Sequence, residues 1–351
     1  MRKQVLKQLI DAYTPSGFEG PGVKIFDTEM EALGARRYYS DKIGNSAWAV
    51  GDGPVKVLIS GHVDEISARI QHVSDDGILS IVNVGGMDRK ALLGSEVIIL
   101  GSKGPIRGVI GKKPIHLEYK DDDEKDTIGK FCSLRVDIGA ESKSDVEEIG
   151  INPGCPLVHS RCVDLEFGKY KLRGNALDDK LGVFTTIEII RALQEEGFDR
   201  EKYTIIGMTT VQEETGTRGA LIAAHNINPD VSIDFDVCPS TDGNLEIDKD
   251  EHGDIRLGGG AVINWGPEKS ARLCQEMNKV AQEKGIKVQN YTASAGGTNT
   301  DVLQLFSRDC ETGLISFPNR YMHTPVECCD WRDVEETIKL IKEIIQDGTV
   351  I

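Results

Sequence analysis

Apolar residues recur at helical spacing through Val5, Leu6, Leu9 and Ile10, and again through Val23, Ile25, Phe26 and Met30. The turn-forming Pro15-Ser16-Gly17 separates them, so the pattern predicts two opening helices. In KVLISGHVDEIS the period changes: Val57, Leu58 and Ile59 make a short unbroken apolar run ending at Gly61, the mark of a buried strand. From about Arg69 to Val163 short apolar runs broken by glycine (ILSIVNVGG, LGSEVIILGSKGPIRGVIG, LRVDIGA) predict a separate all-β module. After Gly174 helix and strand alternate. LDDKLGVFTTIEIIRALQEEG predicts a helix closed by Gly197, and strands follow at YTIIGMTTV and VSIDFDV. Then come a helix over about Lys269 to Lys284, a strand at LISFP and a last helix over about Trp331 to Gln346. The outer segments, 1–68 and 164–351, therefore read as one α/β domain interrupted by the β module at 69–163.

Composition narrows the function classes. The 351 residues are 39% hydrophobic and 28% charged, with no apolar run long enough for a membrane span and no signal core at the N-terminus, so a soluble cytoplasmic protein is expected. Fifty-seven acidic against 41 basic residues give a net charge of -16, which argues against nucleic acid and anionic membranes as partners. Eight scattered cysteines without a CxxC pair fit a reducing compartment, and the adjacent Cys328 and Cys329 read as small semi-buried side chains. The acidic run YKDDDEKD reads as a solvated loop.

The candidate chemistry lies at the strand exits. His62 and Asp64 follow VLIS, Glu213 and Glu214 follow IIGMTTVQ, Asp236 ends SIDF, and His323 comes shortly after LISFPNRYM. In an open α/β sheet ligands bind beyond the carboxyl ends of the strands, so residues distant in sequence can converge there. Asp178 precedes a helix, where a carboxylate also finds favourable N–H groups; its plainer reading is a cap. Two imidazoles with several carboxylates form an N/O donor set suited to zinc, cobalt or manganese, and two neighbouring ions would need a bridging carboxylate. Such paired ions polarise a carbonyl and acidify water while a nearby carboxylate removes the proton, which is hydrolytic chemistry. Asp64, two residues beyond His62, is placed to accept its other ring N–H. Single histidines such as His72, His116, His159, His225 and His252 read as structural or exposed.

These residues together resemble the tetrahedral TET-type, glutamyl-aminopeptidase-like cocatalytic metalloaminopeptidases, some once labelled CelM-type endoglucanases. The shared segments span nearly the whole chain: SGFEG, SGHVDEI, GGMDRKALLGSEV, GVIGKKPIHL, DIGAES, NALDDKLG, VQEETGTRGA, DFDV and RYMHTPVE. The resemblance implies two divalent ions, zinc first and cobalt or manganese otherwise, bridged by Asp178. His62 and Asp236 would complete one ion's protein ligands, Glu214 and His323 the other's, with Glu213 as general base and Asp64 as the acidic residue beside the metal histidine. It also implies a central, mostly parallel sheet flanked by helices and an inserted, small β-barrel-like dimerisation domain. Six dimers would form a hollow dodecamer that admits short peptides as substrates.

The chain departs from that pattern in two places: Asp179-Lys180 stand where the family often has Asn-Arg, and Asn299 stands at a position commonly Asp. The competing readings are a dinuclear-metal deacylase or carboxypeptidase, which would share the metal chemistry, and a catalytically silent cage-forming scaffold. A glycosidase would need two carboxylates facing each other across a sugar and would leave both histidines idle. The glycine-rich LGGG and SAGG segments lack the Lys-Ser/Thr of a P-loop and read as turns or substrate-site loops.

Overall fold

The computed structural model describes every residue except 115, 117–129, 244–245 and 293–296. The acidic run YKDDDEKD and most of SAGG thus lie outside the described residues. By its internal contacts the chain forms two compact units. One comprises Met1–Glu65, Val163–Met322 and Val326–Ile351; the other comprises Ile66–Cys162 and His323–Pro325.

In chain order the strands are β1 (Arg36–Ser40), β2 (Ser46–Val50), β3 (Val55–His62), β4 (Ser67–Val73), β5 (Leu79–Val84), β6 (Glu96–Gly101), β7 (Gly104–Ile110), β8 (Arg135–Asp137) and β9 (Pro156–His159). They continue with β10 (Asp164–Phe167), β11 (Lys171–Gly174), β12 (Tyr203–Thr210), β13 (Val231–Pro239), β14 (Ala261–Trp265), β15 (Val288–Thr292), β16 (Glu311–Asn319) and β17 (Glu327–Asp330).

The larger unit is built on an eight-stranded sheet ordered β1-β2-β12-β3-β13-β16-β14-β15. The sheet is mixed: β12, β3, β13 and β16 run parallel at its centre, while β1, β2 and the β14–β16 contact are antiparallel. The central strands are buried on both faces, which is why they read as unbroken apolar runs. Val57 and Ile59 of β3 enter the main core with Ile205, Phe235 and Phe317, whereas Leu58 points the other way, to Ile206, Met208 and the alanines of the helix Arg218–Ile227. The helix Leu177–Glu196 is apolar nearly all round because it lies inside the core, under the helix Trp331–Gln346. Register then sets the site: Thr210 of β12 stands opposite His62, and Asp234 of β13 stands opposite Ser60. His62 and Asp236 each lie two residues beyond that last pair, so they leave the sheet at one level.

The smaller unit is a closed antiparallel barrel, β4-β5-β8-β7-β6-β9. Its core comprises Ile70, Leu79, Ile81, Val97, Ile99, Val136 and Leu157 with their neighbours. This is the small β-barrel-like module expected from the sequence, and among its described residues it also carries the short helices Arg89–Leu92 and Lys143–Glu148. Asp88 and Ser142 cap them, signals too brief to outweigh the strand texture around them. Among the described residues no helix is long and apolar enough to cross a membrane, and none of the eight cysteines forms a disulfide.

Candidate metal centre

His62 is the last residue of β3 and almost fully buried. Its Nδ1 lies 3.1 Å from the main-chain oxygen of Asp64. A carbonyl can only accept, so this contact puts the ring proton on Nδ1. The Nε2 lone pair then faces Asp178 Oδ1 at 3.1 Å. Two acceptors at that distance require a positive charge between them, a proton or a metal ion. Asp236 completes the arrangement: ligand atoms of His62, Asp178 and Asp236 all lie within 4.8 Å of one another, and all three residues are buried. This N/O set suits zinc, cobalt or manganese.

Asp178 occupies the first turn of its helix without helical geometry (φ -74°, ψ 108°), and Asp179 is likewise non-helical. The peptide bond between them is cis. The Asp179 carboxylate accepts from Gly182 N (2.9 Å) and from His62 N (3.2 Å), tying the helix start to the end of β3. Two glycines permit this approach: a Cβ on Gly182 would sit 2.3 Å from Asp179 Oδ2, and one on Gly61 would sit 2.7 Å from it. Glu327, buried on β17, accepts from Asp178 N at 3.1 Å. Lys180 is fully buried, donating to Glu65 Oε1 (3.2 Å) and Ala12 O (2.9 Å).

The Asp64 carboxylate lies beside the His62 ring and also holds the backbone of a neighbouring turn. Its carboxylate Oδ1 is 3.5 Å from His62 Nδ1, farther than its own main-chain oxygen. The carboxylate also accepts from Glu213 N (2.9 Å, Oδ1), Glu214 N (3.2 Å, Oδ2) and the Ser16 hydroxyl (2.7 Å, Oδ2). It thereby fixes the turn that follows β12. Glu213 Oε2 lies 4.0 Å from His62 Nε2. Glu214 shares that turn and is half-buried. His323 belongs to the smaller unit, with a left-handed backbone (φ 62°) and Nδ1 3.1 Å from the carbonyl of Gly86.

The electrostatics of the larger unit favour a bound cation. Burial alone would keep His62 neutral, but its hydrogen bonds to Asp178 and Asp64 and the charge of Glu213 hold its pKa well above the usual range. Glu213 is pushed up to about 8 by burial and by Asp236, Asp64 and Asp178, against the opposing charge of His62. Burial and the neighbouring carboxylates also raise Asp179 well above the ordinary carboxyl range. Carboxylates crowded in a low-dielectric interior repel one another, and a divalent ion between the His62, Asp178 and Asp236 donors would relieve that repulsion. The residues therefore fit a metal.

Sequence reasoning did not single out Ser16, Glu19 or Glu327 and met Asp179 only as a departure from the family pattern, although SGFEG, NALDDKLG and RYMHTPVE contain them. Their partners lie dozens to well over a hundred positions away, and no local period encodes them. LGGG is not a ligand cradle: Gly258 N and Gly260 N donate to Asp333 at 2.8 and 2.7 Å. Cys328 and Cys329 are buried, as small core side chains would be.

Comparison with known proteins adds independent support. A sequence profile described as M42 glutamyl aminopeptidase matches residues 44–340. Lysyl aminopeptidase of Pyrococcus furiosus is 31% identical over 348 residues, spanning 98% of this chain and 96% of that protein. The solved TET aminopeptidase of the marine sediment archaeon Thaumarchaeota archaeon SCGC AB-539-E09 superimposes with a TM-score of 0.92 at 30% identity, over 99% of this chain and 97% of that one. The Pyrococcus horikoshii TET1 peptidase, which can assemble into a tetrahedron or a large octahedral shell, gives 0.85 at 29% identity over 98% of each chain.

Proposed function

Because this chain belongs to the M42 glutamyl aminopeptidase family, whose members are metal-dependent hydrolases, we propose that it removes N-terminal residues from short peptides at a centre of two divalent cations, with Glu213 as general base. His62, Asp178 and Asp236 would hold one ion; Asp178, Glu214 and His323 would hold the other. The observation that carries the reading is the His62 ring, whose Nδ1 donates to a main-chain carbonyl while Nε2 confronts a carboxylate oxygen, an arrangement that calls for a cation.

The chemistry supplied by bound cations is polarisation of the scissile carbonyl and acidification of water. The chain's own residues do the rest. Asp64 holds the Glu213 and Glu214 amides, so the Glu213 carboxylate enters the site from a fixed backbone. Oε2 of Glu213, 4.0 Å from His62 Nε2, is where a proton taken from water would rest before passing to the departing amine. Burial of His62, Asp178 and Asp236 limits competing water and strengthens each electrostatic contact. Self-association through residues 69–163 into dimers and a dodecamer, in the cytoplasm, belongs to the same reading, and the shell-forming relative supports assembly as such.

The test is hydrolysis of aminoacyl-p-nitroanilides and their N-acetylated counterparts by chelator-stripped protein, before and after adding zinc, cobalt or manganese. Metal-dependent cleavage of the free-amine substrates alone is expected. Cleavage of the acetylated set would move the assignment to a deacylase, and no cleavage of either would remove the catalytic reading.

A further inference from the structure

The turn that carries Glu213 begins with Gln212 in a left-handed conformation (φ 56°). It closes on itself at the far end, where Gly216 N and Thr217 N donate to Glu213 O, and Arg218 N donates to Gln212 O. At its near end three successive amides, those of Gln212, Glu213 and Glu214, point to carboxylates from elsewhere in the chain. Glu213 N and Glu214 N donate to Asp64, while burial pushes Glu19 up to about 7 and the Gln212 amide is among the backbone groups that favour its charged form. Consecutive amides converging on an anion make a nest, here filled by the protein's own side chains.

Both anchors depend on the segment joining the first two helices. Asp64 is fully buried, so no solvent can replace a lost donor, and its Oδ2 is held from the other side by the Ser16 hydroxyl at 2.7 Å. Glu19 is also buried, and its Oε1 accepts from Gly17 N at 2.6 Å. The segment is fastened in turn: Thr14 N donates to Glu65 Oε1 (2.8 Å), the Thr14 hydroxyl donates to Val63 O (2.7 Å), and Pro15 bridges Glu65 in parallel. Asp64 thus lies between two residues, Val63 and Glu65, that both bind this segment. Without Ser16 the Asp64 carboxylate would keep one donor on Oδ2 and gain freedom to rotate, loosening its hold on the Glu213 and Glu214 amides.

We propose that Ser16 and Glu19 are positioning residues for Glu213, acting through Asp64 and through the Gln212 amide to fix the backbone from which the base projects. The proposal rests on the aminopeptidase reading with Glu213 as base, and its test separates the two. Ser16→Ala, Ser16→Thr and Glu19→Gln are compared with the wild type in two measurements: hydrogen–deuterium exchange of the 211–217 segment without added metal, and steady-state kinetics with metal.

Removal of the Ser16 hydroxyl is expected to speed exchange in 211–217 by about tenfold and to lower kcat by a similar factor with KM within about twofold, the size of one lost charge-assisted hydrogen bond. Ser16→Thr restores both, and bound metal per chain stays at the wild-type value. Glu19→Gln gives the same pattern from the Gln212 side. Wild-type exchange and wild-type kcat in both Ser16→Ala and Glu19→Gln would overturn the proposal. If the wild type cleaves no free-amine substrate, the aminopeptidase reading fails alone, and the exchange measurement still decides whether Ser16 and Glu19 hold the turn. Should one variant not fold, the other supplies the same comparison.

Discussion

Adding one methyl group at Gly61 tests the construction of the centre. A Cβ there would lie 2.7 Å from Asp179 Oδ2, from the carbonyl carbon of Gly182 and from Val183 N, against ordinary contacts of 3.4 Å or more. Two of those atoms are main chain at the start of a buried helix, so no flexible side chain can yield. Strand end and helix start must part by about 0.7 Å. The strand end carries His62 and the helix start carries Asp178, whose facing atoms are now 3.1 Å apart. The steric cost of such overpacking is ~1–3 kcal/mol. Displacing a ligand through its supporting groups typically weakens metal binding by ~10–100-fold. Gly61→Ala should therefore remain folded with a lowered Tm and bind zinc or cobalt one to two orders of magnitude more weakly, as measured by competition with a chromophoric chelator. Gly20→Ala is the control, because a Cβ there meets nothing within 4 Å. Unchanged affinity and unchanged Tm in Gly61→Ala would refute the claim that close backbone packing sets the His62–Asp178 geometry.

Glu213→Gln should keep its metal, counted per chain by elemental analysis, and lose ~10²-fold or more in turnover; full activity would remove Glu213 as the base. His323→Ala should lower the bound metal count, and an unchanged count would exclude it as a ligand. In Asp64→Asn either amide orientation sets an NH2 group against the Glu213 or Glu214 N–H, so kcat should fall by ~10-fold or more, and wild-type kcat would contradict the role given to its carboxylate. Burial pushes Asp333 up to about 7 despite hydrogen bonds from Gly258 and Gly260. The folded protein then holds a proton that the unfolded chain releases above about 4, so this contribution to stability is complete below about 4 and lost as pH rises through about 7. Asp333→Asn should flatten the decline of Tm between pH 5 and pH 8, and parallel profiles would contradict it.

The parts of the fold legible in the sequence are those with one dominant periodicity. Parallel strands buried on both faces, such as β3 and β12, show themselves as apolar runs, and their exits show where the chemistry gathers. The edge strands RRYYS and VQNYT carry polar and aromatic residues on half-exposed faces and show no such run. Asp178 stood out as a candidate ligand, with a cap as its plainer reading, ahead of a helix of regular period; the break at Asp178 and Asp179 arises because Asp179 turns back onto Gly182 N and His62 N. Lys180 stood out as a departure, and its purpose, a buried ion pair with Glu65, depends on a partner 115 positions away. LGGG looked like a loop open to substrate because the carboxylate it surrounds, Asp333, lies on a helix more than 70 residues on.

The insertion between β3 and β10 also dictates an order of events during synthesis. The barrel's hydrophobic core draws only on residues 66–157, so it can close while the chain is still being made. β3, finished at His62, must wait for β12 at Tyr203–Thr210 and β13 at Val231–Pro239 before either edge is paired. At ordinary translation speeds that delay is on the order of ten seconds. Throughout it the chain displays an apolar segment with two bare edges, the kind of strand that aggregation recruits. The unit that brings His62, Asp178 and Asp236 together is thus the later of the two to gain a core, and a nascent-chain chaperone would find its natural client in Val55–His62.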